Sequence, residues 1–177
     1  MQARQRLLII LAGALGALAL VGAAGATGGA PTCPADDYGQ CISDQEAYYA
    51  DSPAVVGTPT QDVSFDGVSR CWWVRASHSK GVLMYSRTVV MLVKWCARNG
   101  AITTYAVQAV YGSTGLLCSW NNPLHYTVAG GVGASYVTIH GQVSATCDTP
   151  WWFHLHDNVW MEVRYGSQGV ASIVASG

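Results

Sequence analysis

The run from 82 to 111 limits what this chain can fold into more than any other stretch. Residues 89–95, Val-Val-Met-Leu-Val-Lys-Trp, are β-branched or bulky at nearly every step. Residues 103–111 alternate, with Tyr105, Val107, Ala109 and Tyr111 on one side. Runs of this kind, bounded by turn residues, read as strands. Asn99-Gly100 lies between them, and Asn-Gly is a strong hairpin signal because both residues tolerate positive φ. A two-residue loop would set Val93 against Ala106 and Met91 against Gln108, mixing apolar with polar. A three-residue loop, Arg98-Asn99-Gly100 with Gly100 left-handed, sets Val93 against Tyr105 and Met91 against Val107. A slip of one residue turns every side chain over, so the apolar pattern selects the three-residue loop with a bulge at Gly100.

Further strands are expected at 71–78, 82–96, 101–111, 125–129, 136–147, 151–156, 159–165 and 170–175. Short strands separated by turn residues, with no helical periodicity, predict an all-β fold: an antiparallel β-sandwich, or alternatively a β-barrel. Alternation assigns faces. Val137, Ile139, Val143 and Ala145 belong to the core, as do Val159, Met161, Val163 and Tyr165. That leaves Tyr136, Thr138, His140, Gln142 and Ser144, with Trp160, Glu162 and Arg164, on the outward side.

The chain opens with Met-Gln-Ala-Arg-Gln-Arg and then runs apolar from Leu7 to Ala26. A basic start, an aliphatic stretch and a tail of small residues form a secretory signal peptide, 1–26, with Ala24-Gly25-Ala26 as the cleavage sequence. The same segment is nearly long enough to span a bilayer, so membrane contact would come only through an uncleaved leader. Residues 27–66 form an acidic N-terminal arm with seven acids and no Lys or Arg. Within it Ser43-Asp44-Gln45-Glu46 has capping-box spacing for a short helix to about Ala50, and the rest reads as irregular. Residues 67–177 are the β-sandwich domain.

All six cysteines (Cys33, Cys41, Cys71, Cys96, Cys118 and Cys147) follow the leader. An even number in an exported chain reads as three disulfides, and the pairing expected is Cys33–Cys41, Cys96–Cys118 and Cys71–Cys147. After the leader, seven bases face ten acids, a net charge of −3. Nucleic acid is excluded as a partner, since it needs a strong basic patch. A secreted, extracellular protein follows.

Val93-Lys94-Trp95-Cys96 followed by Asn99-Gly100 and Ile102, then His140-Gly141-Gln142 and Glu162-Val163-Arg164-Tyr165-Gly166, resembles small secreted β-rich actinobacterial proteins of unassigned function, over roughly 82–174. The resemblance implies an exported β-rich fold and carries no catalytic residue with it.

Two constellations bear on chemistry. His154 and His156 would project from the same face of a strand about 7 Å apart, a spacing that two-His metal sites use. His140, His125, Asp157 or Met161 would supply a third ligand, and an exported site of this kind takes copper or zinc. The plainer reading is a polar sheet face with solvated imidazoles. Trp72-Trp73 and Trp151-Trp152 each put adjacent indoles on opposite faces of a strand. Exposed Trp and Tyr give a binding surface large contact area at little entropic cost, which makes Trp73, Trp152, Trp160 and Tyr136 the candidate binding residues.

No motif demands catalysis. Glycoside hydrolysis usually needs paired carboxylates, and the domain offers only Asp148, Asp157 and Glu162. No Gly-x-Ser-x-Gly elbow and no His-Glu-x-x-His occurs. The sequence therefore points to an exported, disulfide-stabilised, non-catalytic binding or structural module, its partner an extracellular protein or glycan and its cofactor none. The alternatives are a small secreted hydrolase using a His and an Asp near 154–157, and a copper- or zinc-binding protein using His154 and His156 with His140.

Overall fold

A computed structural model describes residues 38–62, 68–150 and 154–177. The elements run α1 (Tyr38–Tyr49), β1 (Asp51–Val56), β2 (Thr60–Asp62), β3 (Arg70–Lys80), β4 (Arg87–Arg98), β5 (Ala101–Thr114), β6 (Cys118–Gly130), β7 (Tyr136–Asp148), β8 (His154–Gly166) and β9 (Ala171–Ser176). They make two antiparallel sheets, β1-β3-β4-β5 with β2 also on the β3 edge, and β6-β7-β8-β9. No ladder joins the two sheets among the described residues, so the fold is an all-β sandwich and not the barrel.

Apolar alternation builds the core between the sheets. Val89, Met91, Val93 and Trp95 of β4 face Ile139 and Val143 of β7 and Met161, Val163 and Tyr165 of β8, all 0–1% exposed. Each such side chain contributes roughly 1.5–3 kcal/mol on burial. The faces expected for β7 and β8 are those observed. However, β8 is continuous where two strands were expected: Asp157 and Asn158 pair with Ala145 and Ser144 and stay in the ladder.

The β4–β5 hairpin differs from expectation in its turn. Arg98 pairs with Ala101, leaving a two-residue loop, and Asn99 and Gly100 both sit at positive φ (53° and 78°). The apolar match comes from two bulges in β5, at Thr103 and Gln108. They step the register so that Val93 meets Val107 and Met91 meets Val110. A bulge adds one residue to one strand only, so it corrects a polar mismatch that the tight turn would otherwise impose. It also divides the expected face of β5: Tyr105 and Val107 pack on the core, whereas Tyr111 is 43% exposed.

The stretch 38–62 is more ordered than an irregular arm. The helix starts five residues before Ser43, and Tyr48 near its end is buried. β1 and β2 pair with opposite ends of β3, and the Asp62 carboxylate lies 2.6 Å from the Lys94 ammonium of β4. Pro53 and Pro59 weaken a strand reading of this stretch, yet proline is tolerated at an edge, and β1 and β2 cover a β3 edge whose amides would otherwise be unpaired.

The cysteine pairing is also corrected. The disulfides are Cys71–Cys96 and Cys118–Cys147, not Cys96–Cys118 and Cys71–Cys147. Each links residues directly opposite on neighbouring strands, β3 to β4 and β6 to β7. Directly opposed side chains are the nearest cross-strand neighbours, so each sheet is stapled within itself. Cys41 is disulfide-bonded as well; its expected mate Cys33 lies outside the described residues, as does the expected leader, 1–26.

Candidate functional site

The outer face of the second sheet is built by the alternation that fills its inner face. Along β7 and β8 the outward pairs are Asp148 with His154, Thr146 with His156, Ser144 with Asn158, Gln142 with Trp160, His140 with Glu162 and Thr138 with Arg164. Polar partners connect several of them. Ser144 and Asn158 are hydrogen-bonded through their side chains, and Asn121 of β6 donates to the Thr146 hydroxyl.

Two planar pairs stand at the centre and one end of this ladder. His140 stacks on Trp160, ring centroids 5.2 Å apart and planes within 24°. The Arg164 guanidinium lies 4.7 Å over the ring of Tyr136, which is 42% exposed. Cation–π contacts at exposed sites contribute about 0.5–1 kcal/mol, which biases the rotamers of both side chains toward this arrangement. Tyr136, Trp160 and His140 thus share one surface, as alternation predicted. Arg164 joins them by diagonal packing, which needs the register between strands.

The other sequence candidates are distributed elsewhere. Trp73 is 41% exposed on β3, in the opposite sheet, while its neighbour Trp72 turns inward and stacks on Trp95 at 5.9 Å. Trp152 lies outside the described residues. The four candidate binding residues therefore do not form one surface.

His154 and His156 do share a face, at the far end of the ladder from Tyr136. His154 contacts the Asp148 carboxylate, and His156 Nδ1 lies 2.8 Å from the Thr146 hydroxyl. His140 is engaged with Trp160, and Met161 is buried in the core. Among the described residues no three His, Cys, Asp or Glu side chains gather to hold a metal ion.

Asp157 faces the other way. Its carboxylate accepts from Arg87 Nη2 at 2.8 Å and lies 3.3 Å from Lys80 Nζ. Arg87 is fully buried, donates to the Tyr85 and Tyr48 carbonyls, and lies 4.1 Å from the Tyr48 ring. Burial pushes the Tyr48 phenol up to about 12. The Asp157 carboxylate is thus committed to a cation cluster on the inner side, and alternation puts it on the opposite face of the strand from the two histidines.

Comparison of the chain with known protein families, with characterised proteins and with solved structures finds no match in any of the three.

Proposed function

We propose that this protein is an exported, disulfide-stapled, non-catalytic recognition module that binds an extracellular glycan or protein through the outer face of β7 and β8. Two disulfides fit an oxidising compartment, and the basic, apolar leader gives the route of export. The observation that carries the reading is the pair of planar groups, Tyr136 under Arg164 and Trp160 against His140, set among hydrogen-bonding side chains on one face of the ladder. Such a face offers rigid aromatic area with polar groups around it, which is what recognition of a polar partner uses. A hydrolase built on His154 or His156 with Asp157 has its acid and base on opposite sides of one strand.

A screen of the purified chain against extracellular glycans and secreted proteins tests this, with a Tyr136→Ala/Arg164→Ala variant beside it. Retention by the native chain and loss in the variant supports the reading. Equal retention by both chains would place recognition elsewhere.

A further inference from the structure

We propose a second site at the mouth of the sandwich, between the Asn99-Gly100 turn and the β8–β9 turn, that takes a small acidic sugar: a pyranose ring bearing a carboxylate. It is separate from the β7–β8 face and does not depend on that reading. A cleft of about 270 Å³ opens there, lined by Arg70, Trp72, Arg98, Asn99, Ser167 and Gln168 among others. Its residues come from the start of β3, the end of β4 and the turn after β8, so both sheets contribute.

The floor is preorganised. Trp72 stacks on Trp95 with planes within 29°, and the Trp95 indole N–H donates to the Gly166 carbonyl at 3.0 Å. Trp72 also leans on Gly169, where a Cβ would stand only 2.4 Å from the indole. An indole fixed in this way gives apolar contact area to a ligand at little entropic cost.

Among the described residues the charge at the rim has no counter-charge. Lys80 and Arg87 share Asp157, Lys94 is paired with Asp62, and Arg164 lies over Tyr136. The guanidiniums of Arg70 and Arg98, by contrast, are exposed and make no ion pair or hydrogen bond among the described residues, and no carboxylate among those residues lines the cleft. Two unpaired guanidiniums in a chain with ten acids and nine bases are a local excess of positive charge. The guanidinium fork matches a carboxylate with two parallel hydrogen bonds. Asn99, Gln168 and Ser167 both donate and accept, as ring hydroxyls require. The volume, near the lower end of small-molecule pockets, suits one or two rings. A bare anion would leave the indole unused.

The test titrates the native chain with glucuronate, glucose and inorganic phosphate, followed by tryptophan fluorescence and by calorimetry. Glucuronate is expected to saturate with a Kd in the millimolar range, about tenfold or more tighter than glucose, given the strength of hydrogen bonds to charged groups. Arg70→Gln/Arg98→Gln changes two exposed side chains, and it should weaken glucuronate at least about tenfold while leaving the melting temperature and glucose binding unchanged. Glucose binding as tightly as glucuronate would overturn the carboxylate assignment. Phosphate matching glucuronate would reduce the cleft to an anion site and overturn the sugar. Absence of saturable glucuronate binding, or full binding by the double variant, would overturn the site itself.

Discussion

The Arg87 guanidinium meets the Asp157 carboxylate at 2.8 Å, joining β4 of one sheet to β8 of the other across the sandwich. Arg87 is 1% exposed at its side chain and Asp157 23%, so the pair is largely removed from water. It closes the end of the core where α1 docks, because the same guanidinium holds the Tyr48 carbonyl and ring. It also explains why the only acid in the 154–157 stretch is not available to the neighbouring imidazoles.

Removing one member of that pair should be costly. Arg87→Met leaves Asp157 with Lys80 alone and strips two buried carbonyls of their donor, which should cost about 3 kcal/mol or more. The double change Arg87→Met/Asp157→Leu should recover part of that loss. Urea denaturation of the three chains checks this, and a cost under about 1 kcal/mol for Arg87→Met would show that the pair is not structural.

Each staple closes a loop of moderate size, with sequence separations of 25 and 29. Loops of this length stabilise by about 3 kcal/mol each in the chain-entropy account. Reductant should therefore lower the melting temperature markedly, and peptide mapping without reductant should recover the 71–96 and 118–147 links. A 96–118 peptide would contradict the register of both sheets.

Acid should weaken the fold through His78. Burial holds its imidazole below the usual range, partly offset by the Asp51 carboxylate 3.5 Å from Nε2. The unfolded chain takes up a proton near pH 6.5 that the folded chain resists. Stability therefore falls as pH drops below about 6.5 toward the lower folded value, and this residue contributes no slope above about 7. Melting temperatures at pH 7.5 and 5.5 should differ more for the native chain than for His78→Leu. Equal differences would remove His78 from the account.

Gly169 has φ +81° and no space for a side chain beside Trp72. Gly169→Ala should cost about 1–2 kcal/mol from the left-handed backbone alone, with more from displacement of the indole. The near-ultraviolet circular dichroism of the stacked Trp72 and Trp95 should diminish with it. An unaltered spectrum would mean that the floor of the cleft is not held by this contact.

The strand content and the faces of β7 and β8 were legible because period-two alternation is strong there: Val137 to Ala145 and Val159 to Tyr165 place every inward residue correctly. Bulges were not legible. Thr103 and Gln108 look like ordinary strand residues, and only the pairing of β4 with β5 shows that they are unpaired. The cysteine links were not legible for a related reason: nothing local to Cys147 names its mate, and only the register shows Cys118 directly across the ladder. Tyr136, His140 and Trp160 came together from alternation, but the contact of Asp148 with His154 depends on strand register six residues apart. The Arg70 and Arg98 cleft joins three distant stretches, and no local signal in the sequence connects them.

The outer face of β7 and β8 is the proposed recognition surface of a non-catalytic module. Its most direct test is a two-dimensional amide NMR titration of the native chain with a ligand retained in the extracellular screen. Shifts should cluster on Tyr136, His140, Trp160 and Arg164, with the ligand recovered unchanged. Shifts confined to Trp73 and the opposite sheet, or conversion of the ligand with shifts at His154 and His156, would contradict it.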